Sequence, residues 1–170
     1  MRRLVLIRHA KSSWDHPSHN DHSRPLNDRG VRAARMLGAW IAGRDWTLDE
    51  VLCSTAKRAQ QTWAGISEAL PDTPRIDDPK LYHASPERML DRLQTATGET
   101  VAMVAHNPGI ASFARGLLAD APDDGRFIRY PTGCTTVITF DIADWSALRP
   151  GIGTLEALVF PRDLSDRGSG

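Results

Sequence analysis

The chain has 170 residues, the length of one ordinary domain and enough to bury a substantial core. Its 21 Lys and Arg balance 21 Asp and Glu, which removes the global field that nucleic-acid or acidic-membrane binding relies on, so neither partner is expected and any positive charge that matters must be local. The basic start MRR is followed by an apolar run of only four residues, 4–7, too short for a signal-peptide core or a membrane span, so a cytoplasmic location is the default expectation.

In chain order, RLVLI (3–7) reads as a first strand. NDRGVRAARMLGAWIAG reads as a helix, with Val31, Ala34, Leu37 or Gly38, and Ile41 on one face and Asn27 or Asp28 as cap. EVLCS (50–54) is a second strand, and residues 55–70 form a helix ended by Pro71. Residues 85–96 read as a further helix with Ser85 as cap and Pro86 at its first position. TVAMVA (100–105) is continuous enough in its apolar character for a central strand covered on both faces, and GIASFARGLLAD follows as a helix. CTTVITFDI (134–142) and GTLEALVFP (153–161) are separated by too few residues for a long crossover helix and should pair antiparallel at the sheet edge. The fold class is therefore α/β: one domain over 1–161, a three-layer α/β/α sandwich with a mostly parallel central sheet and antiparallel edge strands. Residues 162–170 are polar and end in Gly and Ser, the composition of a flexible tail. Cys53 and Cys134 lie in apolar, strand-like contexts without metal-ligand spacing and read as buried thiols. Trp40, Trp46 and Trp63 read as packing residues.

Ligands of open α/β sheets bind beyond the carboxyl ends of the strands. The first strand ends in Arg8-His9, the second in Ser54, whose hydroxyl can cap the following helix, with Arg58 about one turn into that helix, and the third in His106, followed by Asn107-Pro108-Gly109, where Asn can cap and Pro can take the first helical position. Two arginines, two histidines and two helix N-termini facing one crevice suit a dianion.

LIRHA, CSTAKRAQQT and VAHNPG, in this order and at these strand ends, resemble the histidine phosphatase superfamily, the phosphoglycerate mutase-like group. The short chain, with RHAKSSW, RPLNDRG and PRDL, is most similar to its SixA-like phosphohistidine phosphatase branch. The resemblance implies His9 as a nucleophile that forms a phosphohistidine intermediate, its other ring nitrogen held by an acceptor that fixes the tautomer. It implies Arg8 and Arg58 as donor forks on the phosphoryl oxygens and His106 as a further donor. Arg24 and Lys11 read either as substrate-binding cations at the rim of the site or as ordinary surface residues. No metal or cofactor is implied. The partner would be a phosphorylated protein, such as a histidine phosphotransfer domain of a signalling relay, or a small phosphorylated substrate.

The glutamate that mutases and many phosphomonoesterases of this superfamily use to protonate an alkoxide is missing from KLYHASPERML. Glu87, His83 and Asp15 are the nearest alternatives. An alkoxide needs a positioned acid, whereas a leaving imidazole can collect its proton from solvent, so the missing glutamate favours a P–N substrate. A phospho-ligand-binding module with weak turnover is the alternative from a different class, and a small-molecule phosphomonoesterase is another; the short chain and missing acid disfavour a mutase. WDHPSHNDH offers a rival metal site in His16, His19 and His22 with Asp15 and Asp21, but its spacing matches no closed zinc pattern, and a solvated loop is the better reading.

Overall fold

The computed structural model describes residues 1–15 and 20–168. Six strands form one sheet: β1 Arg2–Arg8, β2 Glu50–Ser54, β3 Arg75–Asp78, β4 Thr100–Ala105, β5 Thr135–Phe140 and β6 Thr154–Val159, in the order β3-β2-β4-β1-β5-β6. The pairs β2–β3, β2–β4 and β1–β4 are parallel, whereas β1–β5 and β5–β6 are antiparallel. This is the expected mostly parallel sheet with its antiparallel margin.

Because side chains alternate across a strand, β1 feeds both cores. Leu4 and Leu6 pack with Met103, Phe113 and Phe127, while Val5 and Ile7 pack with Leu37, Trp63 and Ile66 on the opposite face. Helices α1 Asp28–Ala42 and α2 Lys57–Ser67 supply the second face, and α3 Pro86–Leu93, α4 Gly109–Leu117 and α5 Gly125–Arg129 lie with the first. Asn27 caps α1 through the Gly30 N–H at 2.9 Å, and Ser85 caps α3. Trp63 is buried, and Trp40 and Trp46 pack at the margin of the same core. Cys53 and Cys134 are buried free thiols. No helix among the described residues is long and apolar enough to cross a membrane.

Three features depart from the sequence expectation. β3 is a strand of polar composition, RIDD, paired with β2 along one side. The short α5 was not signalled by any long apolar period. Residues 161–168, expected to be a tail from 162 onward, begin with a helix, α6 Pro161–Gly168: proline suits the first helical position, and Leu164 packs against the core that holds Val5 and Ile7.

α1 approaches its neighbours closely enough to need glycine. A Cβ at Gly38 would lie 2.6 Å from the Ile66 carbonyl oxygen, and one at Gly30 would lie 2.1 Å from the Lys11 carbonyl oxygen. Gly30 therefore lets the helix back directly onto the loop that follows β1. Gly30→Ala should lower stability by about 1–3 kcal/mol, the usual cost of overpacking. Gly116→Ala, where a Cβ meets nothing within 4 Å, should instead raise stability by about 0.5–1 kcal/mol by removing a flexible helical residue. Urea midpoints of the two variants should move in opposite directions; equal stability of Gly30→Ala and the parent would show that the Lys11 loop is not pinned.

Candidate active site

The backbone at the end of β1 is held from three sides. The Arg8 N–H donates to the Cys134 carbonyl at 3.0 Å and the His9 N–H to the Ala105 carbonyl at 3.2 Å. The Gly133 N–H donates to the Arg8 and His9 carbonyls at 3.1 and 2.9 Å, and the Ala10 N–H donates to Thr62 Oγ1 at 2.9 Å. Gly133 has φ +76°, a conformation that glycine adopts without steric cost. Strand β4, the turn before β5 and helix α2 thus fix the two polar residues that follow the apolar run.

His9 is buried at 5 % exposure. Its Nδ1 lies 2.8 Å from the Ala10 carbonyl oxygen; a carbonyl only accepts, so Nδ1 carries the ring hydrogen and Nε2 keeps its lone pair. The Arg58 Nε–H points at that lone pair from 3.3 Å. Burial, joined by the charges of Arg8, Arg58 and Arg24, pushes the His9 pKa down to about 3, against the opposing pull of the Ala10 carbonyl. His106 stands beside it with ring centroids 5.2 Å apart. Burial, with neighbouring His9 and Arg58, takes its pKa down to about 2. Its Nε2 is 2.7 Å from Ser54 Oγ. Ser54 Oγ also accepts the Ala56 N–H; with the Ser54 proton directed at Nε2, the ring hydrogen of His106 sits on Nδ1. Among the described residues that Nδ1 is buried without a partner, as is Arg8 Nε, and both side chains line the same cavity.

Arg58, 3 % exposed, and Arg24, 8 % exposed, are held by one carboxylate. Arg58 donates from Nη1 to the Asp21 carbonyl at 2.6 Å and from Nη2 to Asp21 Oδ2 at 3.1 Å. Arg24 donates from Nη2 to Asp21 Oδ1 at 3.2 Å and from Nη1 to Ser12 Oγ at 2.6 Å, while its guanidinium lies 3.5 Å from the Trp14 ring centroid. The Tyr82 hydroxyl donates to Asp21 Oδ2, and His83 Nε2 is 3.3 Å from the same oxygen. Partial burial raises the Asp21 pKa, but the hydrogen bond from Tyr82 and the charge and hydrogen bonds of Arg58 and Arg24 outweigh it and hold the carboxyl well below the usual carboxylate range. Asp21 is a permanent anion at neutral pH.

A cavity of about 270 Å³ brings together His9, Arg8, Arg58, His106, Arg24 and Lys11, all six sequence candidates. Of the alternative acids, His83 lines it, Glu87 lines a separate small cavity with Leu90 and Phe113, and exposed Asp15 is not among the cavity walls. His16 and His19 lie outside the described residues. His22 meets Thr55 Oγ1 at 3.0 Å, and among the described residues no group of three or more His, Cys, Asp or Glu is placed to hold a metal ion. Two local expectations are corrected. The N-cap residue of α2 is Ala56, and that of α4 is Pro108, neither with a side-chain cap. Ser54 serves His106 instead, and Asn107 donates to the Arg129 and Tyr130 carbonyls at 2.9 and 3.1 Å. Asp21 was missed as a partner of the arginines; its only local signal is a position three residues before Arg24.

Two outcomes follow from this geometry. Arg58→Lys should lower turnover by about 10²-fold or more, because one ammonium cannot replace Nε facing His9 while Nη1 and Nη2 hold Asp21; near-parental kinetics in steady-state assays would place Arg58 outside the chemistry. Both buried histidines titrate below their unfolded value near 6.5, so the unfolded chain binds protons first as pH falls. Their contribution to stability is complete above about pH 6.5 and is lost as pH drops toward the folded values of about 3 and about 2. Thermal melts should therefore show a falling Tm between about pH 6.5 and 4.5, and a shallower fall in His9→Gln; identical slopes would show that His9 is not held neutral.

Residues 4–85 match the model of the histidine phosphatase superfamily, branch 1. An uncharacterized protein of Mycobacterium tuberculosis is 32 % identical over 165 residues, which is 92 % of this chain and 100 % of the relative. A solved structure from Nakamurella multipartitia that carries the name phosphohistidine phosphatase SixA superimposes with a TM-score of 0.81 at 28 % identity, covering 94 % of this chain and 96 % of that one. The Escherichia coli phosphohistidine phosphatase SixA is 29 % identical over 68 residues, 40 % of this chain and 41 % of that protein. With its motifs gathered in one cavity on the shared α/β sheet, this chain belongs to the histidine phosphatase superfamily and has SixA-type structures as its structural neighbours.

Proposed function

We propose that this chain is a phosphatase that transfers a phosphoryl group to His9 and then to water, acting on phosphohistidine carried by a protein of a signalling relay. The observation that carries the reading is the His9 tautomer: Nδ1 is tied to the Ala10 carbonyl at 2.8 Å, and Nε2 is unprotonated among arginines. A neutral imidazole with a directed lone pair is a competent nucleophile at neutral pH.

In the first step the Nε2 lone pair forms a bond to phosphorus as the bond from phosphorus to the substrate imidazole breaks. The departing nitrogen keeps that electron pair and takes a proton from solvent. The positive charge that spreads over the phosphorylated His9 ring is met by the Ala10 carbonyl. In the second step water attacks phosphorus, the pair returns to Nε2, and the proton lost by water leaves with phosphate or solvent. Charge on the phosphoryl oxygens is met by donors held in advance, Arg8 Nε and His106 Nδ1, which have no partner among the described residues, with the Arg58 guanidinium alongside. Arg24 and Lys11, at the walls of the same cavity, would bind the phosphoryl group before reaction.

The P–N preference rests on the acid. Asp21, the carboxylate among the cavity walls, is held ionised, and Glu87 lies elsewhere. An alkyl phosphate therefore meets no carboxylic acid ready to protonate its leaving oxygen. The closeness of the Nakamurella SixA structure supports the same assignment.

Phosphate release should be compared on a phosphohistidine peptide, a phosphoserine peptide and para-nitrophenyl phosphate. Phosphohistidine and the aryl ester should turn over, and phosphoserine should be slower by at least about 10²-fold, the usual worth of a positioned acid. His9→Ala should keep the fold and lose turnover on every substrate. Efficient phosphoserine hydrolysis with none of phosphohistidine would overturn the substrate assignment; tight phosphate binding with no turnover of the aryl ester would make the chain a binding module.

A further inference from the structure

A second, larger cleft of about 540 Å³ adjoins the catalytic cavity, and Lys11 and Thr132 line both. Its rim carries Lys11, Arg29, Arg32, Arg126, Arg129 and Arg162, drawn from the loop after β1 and from α1, α5 and α6. In a chain whose charges balance, six cations around one opening are a local excess. Among the described residues, Arg126 alone of the six has a carboxylate within 4 Å, Asp163 at 3.3 Å and Asp124 at 4.0 Å. The floor is apolar, with Met36 and Phe160, and Arg126 lies 4.0 Å from the Phe160 ring centroid.

We infer that this cleft is the docking surface for an acidic protein segment flanking the phosphorylated residue, so that the substrate's negatively charged face lies across Arg29, Arg32 and Arg129 while its phosphoryl group reaches His9. The inference rests on the phosphatase reading above and adds the partner's chemistry and the place where it binds. A discrete phosphate is held in this protein by buried, pre-tied groups, as Arg24 and Arg58 are at 8 % and 3 % exposure. The rim cations of the second cleft are instead exposed and spread over four segments. Such an arrangement does not chelate a single small anion; it presents a wide positive field that steers and orients an extended acidic surface. The apolar floor gives the hydrophobic side chains between the partner's carboxylates somewhere to lie, which a polyphosphate would leave unused. The shared wall at Lys11 and Thr132 makes docking and catalysis continuous.

The test uses two phosphohistidine peptides of equal length, one flanked by glutamates and one by glutamines, with the full chain and its Arg29→Glu/Arg32→Glu/Arg129→Glu variant. The Glu-flanked peptide should have a kcat/KM about tenfold or more higher at low ionic strength, through KM, with the advantage lost at high salt and in the variant. Turnover of para-nitrophenyl phosphate should stay within about twofold of the parent, since these three arginines line no part of the catalytic cavity. Equal kcat/KM for the two peptides, or an equal loss on peptide and aryl ester in the variant, would overturn the inference. If neither peptide is hydrolysed, the substrate reading fails by itself, and docking is judged separately by fluorescence anisotropy of the unphosphorylated peptides. Tighter, salt-sensitive binding of the Glu-flanked one to the parent than to the variant supports the surface, and equal binding refutes it. Inorganic tripolyphosphate displacing that peptide stoichiometrically and more tightly than the peptide itself binds would make the cleft a small-polyanion site and would also refute it.

Discussion

Placing Arg8, Arg24 and Arg58 around one small cavity is electrostatically costly, and the Asp21 carboxylate is what makes it tolerable. One oxygen of the carboxylate takes Arg24 and the other takes Arg58, Tyr82 and His83. Arg24 and Arg58 are thereby held in direction and share one negative charge between them, whereas Arg8 is held by the Tyr130 carbonyl at 3.1 Å. A cavity organised in this way needs little rearrangement when charge moves, which is the condition under which fixed dipoles contribute most to phosphoryl transfer. Asp21 also favours a neutral His9 indirectly, because it keeps Arg58 against that ring.

The sheet supplies the second half of that preorganisation. β1 is central, with β4 parallel on one side and β5 antiparallel on the other, so its C-terminal end is fixed laterally before any side chain is considered. Three parallel strands then deliver His9, Ser54 and His106 to one level. Ser54 accepts the Ala56 N–H just ahead of α2 and meets His106 Nε2 with the same oxygen, and α2 itself begins without a side-chain cap.

The strands and most helices were readable because burial on both faces leaves continuous apolar runs, as in TVAMVA, and because Asn27 and Ser85 announce their helices chemically. The polar ends of those runs pointed to Arg8, His9, Arg58 and His106, whereas Arg24 and Lys11 carried no such signal. What escaped reading was set by tertiary partners. RIDD carries no strand pattern, and its pairing to β2 alone makes it a strand. The helix from Pro161 depends on Leu164 finding a core that draws on residues from Val5 to Val159. Asp21 looked like one member of a histidine-rich loop, and nothing in HNDHSR reveals that Tyr82 and Arg58 converge on it.

The position of β1 has a consequence for how the molecule assembles. Its partners lie far along the chain: Leu4 registers with Val101 on one side and Ile138 on the other. Contacts of such long sequence separation carry a large loop-closure entropy and slow the search for the native topology. The apolar run Leu4–Ile7 therefore completes its sheet pairing only when β4 and β5 are both in place. The same topology is a safeguard: the Arg8 and His9 carbonyls are tied down only when Gly133 arrives, so a chain cut short before that residue holds the nucleophile but not the geometry that makes it reactive.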